Sequence, residues 1–314
     1  MKSKRQPECC LDATPWSELQ PPANVPPGAT AISLEELPRF SSWPAALVGA
    51  RSSPVRQRTP EEVQREYGLE KWGKVFSWLQ EHEHDGEPDL WALSGVDRAK
   101  VIAFGQGDAL FAAPAALVFE LYENLLVEVL SRYRRDTVVE LGCGLGDKLL
   151  RFAERLQARR VIGGEFTASG VECGRILARK QASAAEFVRF DFNQPRTLEC
   201  VPPDALVYTL HAIEQAPRLS ADFFEALCQR RPRWVVHFEQ CYEDHRQDSF
   251  LGLLRQRYME LNDYNRSWLG LLRQCEQQGR LQILEHCPEI FSVSPFCSLS
   301  LLVWSPCDLT LPHQ

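Results

Sequence analysis

The stretch that decides the fold is Glu140-Leu141-Gly142-Cys143-Gly144-Leu145-Gly146-Asp147. It follows the β-branched run 137–139 and precedes a helical stretch that extends from Lys148 to Arg159. Glycines at alternate positions let the backbone turn tightly and approach a ligand closely at the carboxyl end of a strand. The pattern therefore predicts a strand, a tight turn and a helix, with a ligand bound against the turn.

The spacing of the glycines narrows the choice of ligand. A dinucleotide fingerprint requires a third glycine three positions after its second, and Asp147 occupies that position here. A triphosphate-binding loop requires a lysine followed by serine or threonine directly after the last glycine, and the turn has no such pair. The sequence therefore disfavours both NAD and ATP as the ligand.

Downstream of the turn, the sequence is typical of an α/β fold. Short apolar runs alternate with helical stretches and lie at 137–141, 161–162, 187–190, 205–210 and 234–238. This alternation predicts a parallel sheet that helices cover on both faces. Two later runs, 281–285 and 299–304, are separated by only about a dozen residues, too few for a helical crossover. These two runs therefore predict an antiparallel hairpin.

Upstream of the turn, two regions differ in composition. Residues 1–58 contain repeated prolines and no lasting helical or strand period, which is typical of an irregular arm. Residues 59–134 are predicted to be helical and to form an N-terminal cap region. Thr59-Pro60-Glu61-Glu62 is a strong helix start, and apolar spacing predicts a long amphipathic helix from Ala115 to Tyr133.

Charge and cysteine usage disfavour several classes of protein. The 314-residue chain has 35 Lys and Arg against 42 Asp and Glu, a net charge of −7. This balance matches a phosphate backbone poorly, so no nucleic-acid partner is expected. The 11 cysteines include no Cys-x-x-Cys pair, which disfavours zinc ribbons, zinc fingers and thioredoxin-like sites. We therefore expect reduced, mostly structural thiols and no metal site.

The sequence also lacks the usual signals for membrane targeting. Its basic first five residues are followed by Gln6-Pro7-Glu8 rather than by the apolar run of a signal peptide. The most apolar short stretch, 112–119, is far below the ~18 residues that a membrane span needs. We expect a cytoplasmic protein without a membrane partner, and association into a homodimer is left open.

The glycine-rich turn and the acids that follow it resemble those of the class I S-adenosylmethionine-dependent methyltransferases. Glu165 ends the second strand, 19 residues after Gly146, and Asp191 ends the third. The resemblance implies a Rossmann-like, doubly wound sheet that is mostly parallel with a C-terminal antiparallel hairpin. It also implies a methyltransferase domain at 135–314 with an acceptor-side insertion at about 242–278. The implied cofactor is S-adenosylmethionine, and the implied product is S-adenosylhomocysteine.

The resemblance further implies roles for individual residues. In that family the acid corresponding to Glu165 accepts hydrogen bonds from both ribose hydroxyls. The acid corresponding to Asp191 contacts the adenine amino group, with Phe192 beside the ring. Taken separately, Glu165 and Asp191 could be helix N-caps, and Cys143 could simply be a small residue that fits the turn. The residues expected to bind the cofactor are Glu140, Gly142, Cys143, Gly144, Gly146, Glu165, Phe166, Asp191, Phe192 and His211.

Acceptor residues are sought at the ends of the fourth and fifth strands. His211 follows the fourth strand and could act as a general base on a hydroxyl, thiol or amine, or could serve in positioning or packing. Glu239 ends the fifth strand and is expected to project towards the acceptor space as a second catalytic candidate. His237, inside that strand, is expected to be a core histidine. No Asn/Asp-Pro-Pro-Tyr stretch follows the fourth strand, which disfavours the amino-group methylases of DNA and of protein glutamine.

Further candidates for substrate binding come from these strand ends and from the insertion. The acids could suit a cationic acceptor, although a solvated acidic rim and helix packing explain the same residues. The full set of substrate-binding candidates is Glu214, Glu239, Tyr264, Asn265 and Trp268.

Together these patterns predict a methyltransferase of the EC 2.1.1 type that acts in biosynthesis on a small-molecule acceptor, a metabolite or natural product. The methyl group would pass to an oxygen, nitrogen or sulfur atom by in-line displacement, with the helical cap closing over the acceptor. A peptide or protein side chain is the alternative acceptor. A catalytically inactive cofactor-binding scaffold is the second alternative. An RNA methylase would need a basic groove, which the short, separated arginine groups do not supply.

Overall fold

A ten-stranded mixed sheet organises the fold in a computed structural model that describes residues 25–49, 57–82, 88–93, 95–216 and 218–307. The strands are β1 (Thr30–Ala31), β2 (Val101–Gln106), β3 (Ala109–Pro114), β4 (Thr137–Leu141), β5 (Arg160–Glu165), β6 (Glu186–Arg189), β7 (Leu206–Leu210), β8 (Trp234–Glu239), β9 (Leu281–Ser292) and β10 (Ser298–Pro306). Their order across the sheet is β1-β3-β2-β9-β10-β8-β7-β4-β5-β6. Residues 1–24 and 50–56 of the predicted arm lie outside the described residues.

Helices cover both faces of this sheet. They are α1 (Trp43–Leu47), α2 (Pro60–Val63), α3 (Trp72–Glu81), α4 (Leu90–Leu93), α5 (Ala115–Arg132), α6 (Asp147–Leu156), α7 (Ala168–Lys180), α8 (Ala221–Gln229), α9 (Phe250–Leu261) and α10 (Trp268–Gln277). The π-helical segment Gln64–Lys71 joins α2 to α3. In the part of the chain that the structure describes, no helix has the length and apolar character needed to cross a membrane.

Strands β4 to β8 form the parallel core that the sequence predicts. β4 pairs with β5 and β7, β5 pairs with β6, and β7 pairs with β8, all in parallel. β10 lies antiparallel between β8 and β9, as expected of the terminal hairpin. All residues of β7 and β8 are buried, because α5, α6 and α7 pack on one face and α8 and α10 on the other. The prediction of a Rossmann-like α/β fold is therefore confirmed.

A second hairpin, β2 and β3, lies where the sequence predicts only helices. The two strands pair around a turn at residues 107–108, and Gly105 of β2 pairs with Ser292 of β9. β1 adds to β3, so part of the proline-rich segment also belongs to the sheet. The helical prediction for 59–134 is wrong at this hairpin, because each strand is only six residues long and takes its place through pairing: β2 with β9 and β3, and β3 with β2 and β1. Periodicity in so short a stretch does not reveal a distant pairing partner.

A buried ion pair attaches this hairpin to the rest of the molecule. The guanidinium of Arg255, on α9, donates to Glu289 Oε1 at 2.7 Å and to the carbonyl of Gly107, in the β2–β3 turn, at 2.8 Å. His245 Nδ1 lies 2.8 Å from the same carboxylate oxygen. The amide of Gly107 in turn donates to the carbonyl of Glu289 at 2.9 Å. Arg255 and Glu289 are both buried, so each of these two charges depends on the other.

Replacing Arg255 by methionine should destabilise the protein strongly. The substitution keeps most of the side-chain volume but leaves Glu289 buried without its cation, which costs about 3–5 kcal/mol of unfolding free energy. Arg257→Met is the matched control, because Arg257 pairs with Glu260 at 2.9 Å on the exposed side of the same helix. The control should cost about 0.5 kcal/mol or less. Urea denaturation of both variants measures the difference, and equal losses would contradict a structural role for the buried pair.

Candidate cofactor and acceptor site

The glycine-rich turn connects β4 to α6, and its backbone conformation requires glycine at three positions. Gly142, Gly144 and Gly146 all have φ in the left-handed region, at 84°, 57° and 77°. A Cβ atom on Gly142 would collide with the side chain of Ala212, and one on Gly146 would collide with the ring of Phe187. The turn can therefore keep its conformation, and its close approach to the 211–214 loop, only with glycine.

A cleft of about 270 Å³ opens beside this turn at the carboxyl ends of the parallel strands. This volume lies near the lower end of the range of small-ligand sites, ~300–1,000 Å³. The cleft brings together nine of the ten residues that the sequence predicts to bind the cofactor. The tenth, Gly146, is the N-cap residue of α6 and does not line the cleft. The nine lining residues are Glu140, Gly142, Cys143, Gly144, Glu165, Phe166, Asp191, Phe192 and His211.

The Glu165 carboxylate is held in a fixed orientation at the end of β5. Its Oε1 accepts hydrogen bonds from the amide and hydroxyl of Thr167 at 2.9 and 2.8 Å, and its Oε2 accepts from the amide of Gly144 at 3.0 Å. Burial raises the pKa of Glu165, and these donors oppose the shift. Thr167, not Glu165, is the N-cap of α7. A carboxylate has about four acceptor positions, so one on Oε2 is left for a ligand hydroxyl.

Asp191 lies on the same wall, just after β6. Its Oδ1 accepts from the amide of Asn193 at 2.9 Å, and its Oδ2 accepts from the side-chain amide of Gln194 at 2.8 Å. Phe192, the next residue, packs edge-on against Phe190 and Phe223 with ring centroids 4.8 and 5.3 Å away. An acid and an aromatic ring thus stand side by side on the wall of the cleft.

Glu140, the next-to-last residue of β4, forms the floor of the cleft. The Tyr208 hydroxyl donates to its carboxylate at 2.8 Å, within the interior of the sheet. Burial raises the pKa of Glu140 to about 8, and the hydrogen bond from Tyr208 opposes the shift. Glu140 is therefore a buried group with a single side-chain partner, directly below the glycine-rich turn.

Residues of the N-terminal cap region close the cleft from above, and the sequence does not single them out. The indole of Trp72 lies 3.1 Å from the position that a Cβ on Gly144 would occupy. Tyr67 packs against Trp72 with ring centroids 5.7 Å apart, and both residues line the cleft together with Pro60 and Val63. The sequence predicts that the cap covers the acceptor, whereas these four side chains lie on the predicted cofactor cleft.

His211 lies at the edge of the cleft, in a left-handed conformation with φ of 52°. Its Nδ1 is 3.2 Å from Glu214 Oε1 and 3.8 Å from Cys297 Sγ. Burial lowers the pKa of His211, but Tyr122, Cys297 and Glu214 outweigh burial and raise that pKa well above its ordinary value. The imidazole is thus fixed on one side by a carboxylate and lies next to a thiol.

Glu239 does not project towards the acceptor space, so this prediction needs correction. The side chain is fully buried beneath the 211–214 loop, where its carboxylate accepts from the amide of Ala212 at 2.9 and 3.0 Å and from the amide of Glu214 at 3.3 Å. Burial raises the pKa of Glu239 to about 7, and Glu214 adds to the shift. These hydrogen bonds fix the conformation of the loop that carries His211.

Three of the substrate-binding candidates also serve to hold loops in place. Glu214 is buried and accepts from the amide and side chain of Gln240 at 2.7 and 2.8 Å. The side-chain amide of Asn265 donates to the carbonyl of Ala216 at 3.1 Å, and its Oδ1 accepts from the amide of Ser267 at 2.9 Å. The indole of Trp268 is fully buried and donates to the carbonyl of Gln240 at 2.9 Å. These contacts occupy the polar atoms of all three, so their prediction as acceptor contacts is not matched by the structure.

Tyr264 and His237 have different surroundings. The Tyr264 ring is half-buried, 6.1 Å from the ring of Tyr258 and beneath the guanidinium of Arg58 at 5.0 Å. His237 is a core residue, as expected: its Nε2 accepts from Trp304 Nε1 at 2.8 Å and its Nδ1 lies 2.9 Å from Thr209 Oγ1. Burial lowers the pKa of His237 to about 3. Tyr264 therefore remains a candidate for acceptor binding, and His237 does not.

Two residues near His211 are absent from the sequence predictions. Tyr122, on α5, has its ring centroid 6.4 Å from that of His211, and Cys297 comes from the β9–β10 turn. The potential ligand atoms of His211, Glu214 and Cys297 lie within 4.8 Å of one another. Both oxygens of Glu214 accept from Gln240, however, so we interpret the group as hydrogen-bonded rather than metal-binding.

No family model matches the chain, and no curated protein matches it significantly. Among solved structures, the chain is similar to magnesium protoporphyrin IX methyltransferase from Synechocystis PCC 6803 with bound SAH, at 13% identity and a TM-score of 0.46, over 79% of this chain and 99% of that one. It is also similar to geranyl diphosphate C-methyltransferase from Streptomyces coelicolor A3(2), at 14% identity and a TM-score of 0.45, over 62% and 83%. A SAM-dependent methyltransferase from Aquifex aeolicus matches at 13% identity and a TM-score of 0.39, over 57% and 87%.

The order and directions of the strands define the architecture of the chain directly. Five parallel strands follow the order β6-β5-β4-β7-β8, and β10 enters antiparallel before β9. The glycine-rich turn follows β4, the middle strand of the parallel five, and the cleft lies at the carboxyl ends of these strands. This is the Rossmann-like, mostly parallel sheet with a C-terminal antiparallel hairpin that the resemblance to the class I S-adenosylmethionine-dependent methyltransferases implies.

Proposed function

We propose that this protein transfers a methyl group from S-adenosylmethionine to a small-molecule acceptor. The observation that carries the proposal is the convergence of the glycine-rich turn, Glu165 and Asp191 on one cleft, from three successive strand ends. The residues present fit the cofactor: Oε2 of Glu165 keeps an acceptor position for a ribose hydroxyl, and Phe192 offers a ring beside Asp191 for the adenine. The intact set of Glu140, the glycines, Glu165 and Asp191 favours an active enzyme over a cofactor-binding scaffold that has lost its activity.

The protein's share of the chemistry is alignment and proton transfer. When bound, S-adenosylmethionine supplies a sulfonium methyl group that a nucleophile attacks directly. The glycine-rich turn and the Trp72 ring enclose the cleft and restrict water, and the fixed Glu165 orients whatever it binds. His211 is the side chain in position to take the proton that the acceptor loses, and Glu214 stabilises the imidazolium that results.

The enclosure of the site favours a small acceptor over a peptide. Phe296, which precedes the His211 neighbour Cys297, belongs to a separate apolar cluster in which α9, the β2–β3 hairpin and the N-terminal segment pack together. Leu37 and Leu47 from that segment are buried there, with Phe296 from the β9–β10 turn. A chain segment threaded towards His211 would have to displace these contacts, whereas a compact molecule would not.

Binding of the cofactor tests the first half of the proposal. The protein should bind S-adenosylmethionine and S-adenosylhomocysteine in calorimetric titrations, and Glu165→Ala should weaken both by about 1–3 kcal/mol, or roughly 5- to 150-fold. Glu172→Ala is the matched control, because Glu172 is an exposed acid on the adjoining helix paired with Arg175 at 2.7 Å. Absence of binding by the folded wild-type protein would refute the proposed function.

Replacement of His211 tests the second half. With isotope-labelled S-adenosylmethionine and fractionated cell extract, His211→Ala should reduce methyl transfer by about 10²–10⁴-fold while S-adenosylhomocysteine affinity changes little. His286→Ala is the control, because the His286 side chain is exposed to the same extent, 22%, but pairs with Asp244 elsewhere. Label recovered in peptides rather than in small molecules would favour the alternative acceptor class.

The pH dependence of the reaction follows from the surroundings of His211. A base must be neutral to accept a proton, and the pKa of His211 is raised well above 6.5. Methyl transfer should therefore decline as the pH is lowered through a value above 6.5. Glu214→Gln removes a neighbouring negative charge, lowers the pKa of His211 and should move this acid limb to lower pH. A limb that stays in place in the Glu214→Gln variant would exclude His211 as the titrating group.

A further inference from the structure

A buried hydroxyl without a partner lies next to His211. Tyr122, on α5, is 2% exposed, and its hydroxyl has no hydrogen-bond partner among the described residues. Leaving a buried hydroxyl unpaired costs about 1–3 kcal/mol, so folded proteins rarely keep one without a reason. A ligand that supplies the missing partner is such a reason.

The surroundings of Tyr122 show where this hydroxyl acts. Its ring centroid is 6.4 Å from that of His211 and 5.7 Å from that of Phe291. Apart from burial, the groups that shift its pKa are His211, Cys297, Glu214 and Glu239, so the hydroxyl is on the side of the 211–214 loop. His211 also lines the cofactor cleft, so Tyr122 lies next to the edge of that cleft.

Aromatic side chains also lie near Cys297, the thiol next to His211. Phe296 precedes Cys297 in the β9–β10 turn and stacks with Tyr258 at 6.5 Å between ring centroids, and Tyr258 meets Tyr264 at 6.1 Å. Trp43, from the N-terminal segment, contacts Tyr258 edge-on at 4.7 Å. An acceptor that reaches these side chains would meet aromatic rings, which suit a ring-shaped molecule.

We propose that the acceptor is a hydroxyl compound and that Tyr122 binds its reacting oxygen; this inference rests on the proposed function. A hydroxyl can accept a hydrogen bond from Tyr122 and donate its own hydrogen to His211 at the same time. A protonated amine has no lone pair, and a neutral amine has only one, which it needs for the attack on the methyl group and cannot also offer to Tyr122. A carboxylate has no hydrogen for His211. A thiol sulfur is only a weak hydrogen-bond acceptor. The pair of groups therefore selects oxygen as the acceptor atom.

The reaction balances with these residues. The acceptor oxygen forms a bond to the methyl carbon, the carbon–sulfur bond breaks, and its electron pair stays on sulfur. The hydroxyl proton passes to neutral His211, so the positive charge lost from the sulfonium is recovered as an imidazolium next to Glu214. Tyr122 neither gains nor loses a proton, and its contribution is to hold the oxygen in line.

Three probes that differ only in their head group test the choice of acceptor. Benzyl alcohol, benzylamine and benzoate are titrated into protein saturated with S-adenosylhomocysteine. Benzyl alcohol should bind at least about tenfold more tightly than the two charged probes, which corresponds to about 1.4 kcal/mol. Equal binding of all three, or no binding of benzyl alcohol, would overturn the inference. Failure of the protein to bind S-adenosylhomocysteine would instead refute the proposed function, so the two failures are distinguishable.

Removal of one hydroxyl tests the role of Tyr122. Tyr122→Phe should weaken benzyl alcohol binding by about fivefold or more, leave S-adenosylhomocysteine affinity unchanged, and leave the melting temperature unchanged or raised. A purely structural hydroxyl would instead lower the melting temperature. Tyr133→Phe is the control, because Tyr133 is a buried tyrosine directly after α5 that faces Glu285 instead of His211. Unchanged probe binding in Tyr122→Phe would overturn the assignment of the oxygen site to Tyr122.

Discussion

The hydrogen bonds from the amides of Ala212 and Glu214 to the buried carboxylate of Glu239 are the constraint on which the site depends. They hold the chain after β7 in a tight turn, which places His211 in its left-handed conformation at the edge of the cleft. Ala212 in turn lies against Gly142, so the same contact sets how closely the loop approaches the glycine-rich turn. The buried carboxylate of Glu239 thereby positions the 211–214 loop against the glycine-rich turn.

This carboxylate is itself supported from the core of the sheet. The Trp304 indole donates to His237, whose other ring nitrogen contacts Thr209, and the Thr209 hydroxyl reaches Glu239. Because an indole can only donate, the direction of the whole series is determined, and His237 is neutral. A buried, fully satisfied polar series of this kind has few alternative arrangements, which favours one position for the loop above it.

The sequence predicts local features of the site well and distant ones poorly. The turn at 140–147, Glu165 and Asp191 follow from strand ends and glycine spacing, which are short-range patterns, and the structure brings them to one cleft. Tyr122 and Cys297 each lie 86 or more residues from His211 in the sequence and belong to no recognisable motif. Only the fold brings them close to His211. The direction of the Glu239 side chain depends on backbone amides in another loop that need an acceptor, and the periodicity of the sequence does not reveal such a need.

The Trp72 ring over the glycine-rich turn has a consequence for the order of events. Two hydrogen bonds hold this part of the cap to α7: the Ser169 hydroxyl donates to the carbonyl of Gly68 at 2.7 Å, and the Cys173 thiol donates to the carbonyl of Trp72 at 3.7 Å. A nucleoside bound against the glycine-rich turn would lie next to the Trp72 ring. In the proposed reaction, breaking these two hydrogen bonds would open the cleft on this side, so the rate at which spent cofactor leaves would depend on contacts that take no part in the chemistry.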